Sequence, residues 1–295
     1  MRKAPVIAIL INLALLISLW PSASWAHFGD DQAGEGAVTR GTNKAASGEP
    51  PVSEGFEVVG HSPLFNRGMN AALAVNGDYA YVGNRTDGQP QHRNPGILVV
   101  DVSRPAHPDV VDEIGPPDAG LVGETSRELR VWPQQNLLVV LNFGCSSAIH
   151  ACVGGETVKS RVTFFDISGP NAAHPELVST YRPSRTPHEF FLWVDPADPA
   201  GRALLFQSTP TSSTSQPSMI VTDISRARAG VFPETPWSAT FPAEKLENGE
   251  DEDRRLHSLG VSPDGNRAYL AFLGAGFLVL DTSEIAAGVW RLGCD

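Results

Sequence analysis

The chain has 295 residues, of which 41% are hydrophobic and 19% charged, and its formal net charge at pH 7 is −11. A surface with this acid surplus repels phosphate backbones and anionic lipid, which argues against nucleic acid as a partner. The same surplus favours solubility and attracts cations.

The first 26 residues have the pattern of a secretory signal peptide. Arg2 and Lys3 precede an apolar run from Ala4 to Trp20, and small residues follow, ending in Ser24-Trp25-Ala26. The pattern predicts export with cleavage after Ala26, whereas a membrane anchor, the alternative, would need a longer apolar run. The signal holds two of the 22 basic residues and none of the 33 acidic ones, so the remaining chain would carry −13. We therefore expect a periplasmic, cell-surface or extracellular protein without a membrane span after cleavage.

Residues 27–55 are rich in Gly, Ala, Ser, Thr and Pro and show little apolar periodicity. Such a segment cannot bury enough apolar surface to fold, so the composition predicts a disordered leader. We place the folded domain at residues 56–295, where apolar strands begin at Phe56.

A strand-and-turn pattern occurs four times in the folded domain, each time as an apolar strand that ends in Asp-x-Ser. The four aspartates are 65, 57 and 58 residues apart, which indicates one supersecondary unit copied along the chain. We expect each aspartate to form turn hydrogen bonds at its strand end. The copies are ILVVDVS at Ile97–Ser103, TFFDIS at Thr163–Ser168, MIVTDIS at Met219–Ser225 and FLVLDTS at Phe277–Ser283.

Each unit has two further strands before the repeated one, joined by a turn rich in Gly, Asn, Asp and Pro. The second and third strands are nearly continuous apolar runs, as expected for strands buried on both faces, and no stretch shows a convincing amphipathic helix. We therefore predict an all-β fold, a β-propeller of four-stranded antiparallel blades with about four blades present. A candidate fourth strand follows three copies, at Asp109–Ile114, Glu176–Tyr181 and Trp237–Phe241.

The repeated segments resemble the LVIVD repeat, which occurs in exported bacterial propeller proteins of mostly unassigned function. The first two copies match best, with DVSRP at Asp101–Pro105 and DISGP at Asp166–Pro170. The third and fourth copies depart from the pattern, since Arg226 and Glu284 follow the serine and no proline comes next. The resemblance spans roughly residues 56–289. It implies a propeller and export, and it implies neither a reaction nor catalytic residues.

The fourth copy has no fourth strand of its own, which leaves two interpretations. The segment Phe56–Gly60 could complete the last blade and close a four-bladed ring. A chain cut from a longer propeller is the interpretation that the sequence favours, because four blades is the low end for this architecture. In addition, residues 290–295 have no counterpart in the other copies.

Polar groups cluster where the chain enters the first strand of each unit. Aligning Val131-Trp132 with Leu192-Trp193 puts Arg127, His188 and His257 at equivalent positions, with Ala71 in the first copy. The first strands of a propeller line its channel, so we predict that these side chains converge at one end of the axis. The full candidate ligand-binding set is Arg127, Glu128, His188, Glu189 and His257.

The chemistry of this set is that of a small-ligand or metal site. His188 and His257 could ligate a divalent metal ion, the candidate cofactor, while Glu128 and Glu189 offer carboxylates and Arg127 could clamp an anion. The alternative is that these groups only pair with each other inside a wet channel, since buried charges are paired with or without a function.

Two functions follow from this pattern. The first is an exported binding module for a protein, glycan or small molecule. The second is a metal-assisted enzyme at the mouth of the channel, using His188, His257 and a carboxylate. We favour the first, because the sequence has neither an activated nucleophile nor a known metal-ligand spacing, and catalytic residues are therefore not assigned.

Six residues lie between Cys145 and Cys152 in an exported chain, which predicts a disulfide that closes a local loop. A metal or redox pair is the alternative, and Cys294 has no evident partner. We expect a non-reduced digest, analysed by mass spectrometry, to contain the Cys145–Cys152 linked peptide. Loss of this short loop closure should cost about 2–3 kcal/mol of stability. Free thiols at both positions in protein from an oxidising compartment would contradict the pairing.

Overall fold

The computed structural model describes residues 55–85, 93–144, 158–211, 215–238 and 255–288. The chain divides into two units, Met1–Asn43 and Lys44–Asp295, and all described residues belong to the second. The predicted signal peptide, residues 27–54 of the predicted leader and all three cysteines lie outside the described residues. Within the described ranges, no helix is long and apolar enough to cross a membrane.

The second unit is built from antiparallel sheets in which the strand order follows the chain. Blade 1 consists of β1 (Asn70–Asn76), β2 (Tyr79–Asn84), β3 (Ile97–Asp101) and β4 (Asp109–Ile114). Blade 2 consists of β5 (Glu124–Trp132), β6 (Leu137–Gly144), β7 (Arg161–Asp166) and β8 (Glu176–Tyr181). Blade 3 consists of β9 (Glu189–Val194), β10 (Ala203–Ser208), β11 (Met219–Asp223) and β12 (Glu234–Trp237).

Among the described residues, blade 4 has three strands, β13 (Leu256–Val261), β14 (Arg267–Phe272) and β15 (Gly276–Asp281), followed by the short helix α1 (Ser283–Ala286). Short 3-10 helices occupy several loops, at Leu64–Asn66, Pro133–Gln135, Gly169–Ala172 and Ala227–Ala229. Helix is thus confined to single turns between strands. The described structure is nearly all β, as the sequence predicts.

Successive blades pack face to face around their first strands, with β1 against β5, β5 against β9, and β9 against β13. This radial arrangement of four-stranded meanders is that of a β-propeller, which confirms the predicted fold class. The first strands are therefore the inner strands, and the chain end at which each begins faces one mouth of the channel.

Apolar side chains on both faces of each middle strand explain the packing. In β6, Leu138 and Val140 face blade 1, while Val139 and Leu141 face blade 3, and all four are fully buried. Water contacts neither face, so residues 137–141 form a continuous apolar run, and the buried Asn142 that follows is hydrogen-bonded within the sheet. This is the physical source of the apolar repeats in the sequence.

The repeated aspartates stabilise the turns that end the third strands. The backbone N–H groups of Ser103, Ser225 and Ser283 donate to the aspartates two residues earlier, at 2.8–2.9 Å. In the remaining copy the Ser168 hydroxyl donates to Asp166 at 2.7 Å. The expectation of turn hydrogen bonds is confirmed at Asp101, Asp166, Asp223 and Asp281.

In blades 2 and 3, a tryptophan at an equivalent position joins the blade to the first turn of the next blade. The indole N–H of Trp132 in blade 2 donates to the Pro199 carbonyl at 2.8 Å, and that of Trp193 in blade 3 donates to the Pro263 carbonyl at 3.1 Å. The guanidinium of Arg202 lies 5.4 Å from the Trp193 ring centroid, a cation–π contact. The two indole hydrogen bonds fix neighbouring blades to each other at the carboxyl ends of the inner strands β5 and β9.

The structure differs from the sequence analysis at two strands. The segment Phe56–Gly60 forms no strand and does not join the sheet of blade 4, so it does not provide the ring closure that the sequence left as the less favoured interpretation. Gly60 instead lies so close to blade 1 that a Cβ there would overlap the Pro105 carbonyl oxygen. The last strand of blade 3, Glu234–Trp237, begins three residues before the predicted start at Trp237, because Thr222 of β11 pairs with Glu234. Residues 239–241 of the predicted strand lie outside the described residues.

We expect Trp193→Phe to lower the free energy of unfolding by about 1–2 kcal/mol. The substitution removes the hydrogen bond to Pro263 and leaves a small void, while most of the apolar contact remains. Urea denaturation measures the change. Val111→Ala on the exposed edge strand β4 is the matched control and should stay within about 0.5 kcal/mol of the wild type. Equal effects of both substitutions would show that the indole contact does not stabilise the blade junction.

Candidate functional site

β-Bulges shape the entrances of the inner strands. Ser126 and Glu128 of β5 pair with consecutive residues of β6, so Arg127 is the extra residue of a bulge. His257 is the extra residue of the same kind of bulge in β13, between Leu256 and Ser258. A bulge re-aims the side chain of its extra residue out of the alternating pattern, and bulges are frequent beside functional sites. Here they turn Arg127 and His257 towards the channel.

His188 reaches the same place without a bulge, because it stands directly before the first residue of β9. Its Nε2 lies 3.0 Å from Nε2 of His257, and the two rings meet edge to face with centroids 4.4 Å apart. At this distance one of the two Nε2 atoms carries a proton and donates a hydrogen bond to the other. Two imidazole nitrogens from blades 3 and 4 are therefore directed at one point.

Glu189 and Arg127 complete the cluster. One ligand atom from each of His188, Glu189 and His257 lies within 4.8 Å of the others. The guanidinium of Arg127 lies 3.3 Å from the Glu189 carboxylate, and both side chains are mostly buried. Blades 2, 3 and 4 thus each contribute to one group of ionisable side chains.

Ser208, at the end of β10, holds the two histidine segments together. It is fully buried; its hydroxyl donates to the His257 carbonyl at 2.9 Å and accepts from the Glu189 N–H at 3.1 Å. Its own carbonyl accepts from the His188 N–H at 2.8 Å. The Ser258 hydroxyl lies 2.7 Å from Nδ1 of His257 and orients that ring. The imidazole pair is thus positioned by a hydrogen-bonded framework.

The pKa of His188 is lowered from 6.5 to about 3. Burial is the largest cause, and positive charge on Arg127 and then on His257 adds to it. The imidazole is therefore neutral at physiological pH, which leaves a nitrogen lone pair available for a hydrogen bond or for a metal ion.

A cavity of about 530 Å³ opens beside His188. Its apolar side includes Phe143, whose ring centroid lies 6.4 Å from that of His188. Its polar side includes Arg185, whose buried Nε has no hydrogen-bond partner. The remaining lining residues are Gly144, Ser184, Thr186, Pro187 and Pro210.

Glu128 is the member of the predicted set that lies apart from the histidines. Its carboxylate pairs with Arg130 on the same strand. Burial raises its pKa, the charge of Arg130 lowers it, and the charge of Glu189 raises it again. Of the five candidate residues, the structure brings together Arg127, His188, Glu189 and His257, and it places Glu128 in a neighbouring ion pair.

The corresponding region between blades 1 and 2 is closed by hydrogen bonds. A buried chain runs from Asn84 to Ser126 at 3.3 Å, to Asn142 at 2.6 Å and to Thr163 at 3.1 Å. These groups satisfy one another, as the alternative interpretation of the polar entrances expects. The histidine pair differs, because it couples two good metal ligands to each other.

Ser208, Ser258 and Arg185 are site residues that the sequence did not reveal. Ser208 could have been found from strand pairing, since the turn between β9 and β10 brings the end of β10 beside His188. Ser258 follows His257 directly, but its role depends on the bulge. No local pattern distinguishes Arg185 from other loop arginines.

We expect acid to destabilise the protein through His188. Between pH 6.5 and about 3 the unfolded chain binds a proton on this residue while the folded protein does not, so stability falls as the pH drops through that window. The loss is at most about 1.4 kcal/mol per pH unit. Urea denaturation of wild type and His188→Gln at several pH values measures it, because other groups cancel in the comparison. The same pH dependence in both proteins would contradict a buried neutral imidazole.

Comparison with known proteins supports the architecture. The model of the LVIVD repeat matches residues 67–114, which include all of blade 1. A sequence comparison with curated proteins gives no match.

Several solved structures are similar to this chain at low sequence identity. A hypothetical selenium-binding protein from Sulfolobus tokodaii is 16% identical with a TM-score of 0.51, over 74% of this chain and 47% of that one. The Dos1 propeller is 10% identical with a TM-score of 0.46, over 73% and 45%. A periplasmic gluconolactonase from Pseudomonas aeruginosa is 16% identical with a TM-score of 0.44, over 70% and 50%.

The chain spans about half the length of these structures. At 16% identity, the likeness to the Sulfolobus tokodaii protein concerns the fold alone. The matched repeat and the radial packing of antiparallel blades agree with each other. Residues 67–114 match the LVIVD repeat, and the described residues have the fold of a β-propeller.

Proposed function

We propose that this protein is an exported binding module that holds a divalent transition-metal ion between His188, His257 and Glu189 and binds a small ligand beside it. The observation that carries the proposal is the 3.0 Å separation of the two Nε2 atoms, with the Glu189 carboxylate next to them. Imidazole nitrogen suits zinc, copper, nickel and iron, and a carboxylate completes a common donor set.

The spacing of the imidazoles fits a shared ion. Two nitrogens, each about 2.1 Å from one metal, are about 3.0 Å apart at a right angle and about 3.4 Å apart at the tetrahedral angle. The observed separation of 3.0 Å equals the right-angle value. A metal ion could therefore replace the shared proton with a shift of a few tenths of an ångström.

The surroundings of the pair also suit a metal. Because the pKa of His188 is low, its imidazole is already neutral near neutral pH, and metal binding at Nε2 requires only that the remaining ring proton lie on Nδ1. The contact between Ser258 and Nδ1 of His257 leaves Nε2 as the free ligand atom and supplies the outer hydrogen bond that metal-bound histidines normally make. Three side chains leave coordination positions open for a ligand.

The adjoining cavity favours a small molecule as the ligand over a protein or glycan. Its volume of about 530 Å³ lies in the range of small-molecule sites, and it combines apolar walls with the guanidinium of Arg185. Export rests on the signal-peptide pattern of residues 1–26. The proposed place of action is the periplasm, the cell surface or the extracellular space.

Metal-assisted catalysis is the second candidate, and the open coordination positions are what favour it. Catalytic zinc sites commonly have three protein ligands and keep a further position for water or substrate. Binding takes precedence here because no activated nucleophile is evident beside the pair in the described part of the chain. The metal-binding test below is the first requirement of both functions.

We expect protein purified without chelators to bind zinc or copper with one-to-one stoichiometry, measured by elemental analysis and isothermal titration calorimetry. His188→Ala and His257→Ala should each weaken binding by about 100-fold or more, since each removes one of three ligands.

His174→Ala is the matched control, because His174 is an exposed histidine that pairs with Asp112 on the outside of the propeller. Its metal affinity should equal that of the wild type. Stoichiometric binding that survives both site substitutions, or the absence of any saturable binding, would refute the proposed site.

A further inference from the structure

The two ends of the row of blades each expose an apolar sheet face. On blade 4, Tyr269, Phe277 and Val279 lie exposed on the face away from blade 3, and Phe277 is 67% accessible. On blade 1, Leu73 and Val75 lie exposed on the face away from blade 2, and Leu73 is 58% accessible. Large aromatic and aliphatic side chains at this exposure, clustered on one face, mark an interaction surface.

The exposed face of blade 4 repeats a face that is buried elsewhere. The strand pairings align Phe277 and Val279 of β15 with Met219 and Val221 of β11. Those two residues are fully buried where blade 3 packs on blade 4. Blade 4 therefore exposes the sheet face on which, in each preceding blade, the next blade packs.

The exposed face of blade 1 repeats the opposite surface. Leu73 of β1 aligns with Leu129 of β5, which is fully buried where blade 2 packs on blade 1. Beside Leu73 lies a small cluster of Ala80, Val82 and Val100. Blade 1 therefore exposes the sheet face that, in each later blade, packs on the blade before it.

The charges on the blade 4 face do not oppose the packing of another blade on it. Arg267 and Asp281 flank Tyr269 and pair with each other at 3.4 Å. A partner that covers this face would bury apolar side chains without leaving an unpaired charge from this pair.

We propose that the two faces bind each other between two copies of the chain, blade 4 of one copy on blade 1 of the other. The contact continues the one that joins blades 1 to 2, 2 to 3 and 3 to 4 inside the chain. Because both faces are exposed, they do not meet within one copy. Two copies make both contacts at once and close a ring of eight blades, which lies within the usual range of about four to eight.

Analytical ultracentrifugation of the purified chain over a range of concentrations tests the proposal. We expect a dimer, and we expect Phe277→Glu and Leu73→Glu each to weaken dimerisation by about 100-fold or more, since either places a charge in an apolar contact. Leu177→Glu, on the exposed edge strand β8, is the matched control and should leave the dimer intact.

Mixing the two variants distinguishes this head-to-tail contact from others. The Phe277→Glu chain keeps its blade 1 face, and the Leu73→Glu chain keeps its blade 4 face. The mixture should therefore regain association through one intact interface, although each variant alone is monomeric. A self-complementary contact that uses one face twice would not regain it.

Circular dichroism checks that each variant folds, and Val279→Glu and Val75→Glu replace any that does not. A monomer at all concentrations would overturn the proposal and leave these faces to a different partner. Association that all variants retain, polydisperse aggregates without a dimer, or a mixture that stays monomeric would overturn it equally.

Discussion

Burial of both faces of the middle strands in the blades that have a neighbour on each side is the constraint on which this structure depends. Val139 and Val140 are neighbours in β6, yet they belong to two different cores, one shared with blade 3 and one with blade 1. A sheet with two apolar faces is stable only when a neighbour covers each of them. Stacking therefore propagates along the chain, and the end blades are left with one uncovered face each.

The same constraint decides where polar chemistry can occur. The blade interiors admit few polar groups, and those present are hydrogen-bonded, as in the chain from Asn84 to Thr163. Inner-strand entrances are different, because β-bulges at Arg127 and His257 break the alternation and direct side chains to the channel. The candidate site is a departure from regular sheet, supported by Ser208 on the regular strand behind it.

The proposed metal site and the proposed self-association are physically separate. The site lies on the entrances of inner strands in blades 2 to 4, where burial holds the His188 imidazole neutral. The association faces lie on blades 1 and 4, at positions such as Leu73 and Phe277.

Local patterns in the sequence were sufficient for the fold, because each blade forms from neighbouring segments and repeats its own strand-and-turn chemistry. The equivalence of Arg127, His188 and His257 followed from that repeat, and so did the turn aspartates. Only the tertiary structure decided that Glu128 pairs with Arg130, that Ser208 joins two blades, and that Phe56–Gly60 lies beside Pro105. These outcomes depend on bulges and on contacts between distant segments. A shift of one residue in strand pairing would change them, and the local sequence does not encode that pairing.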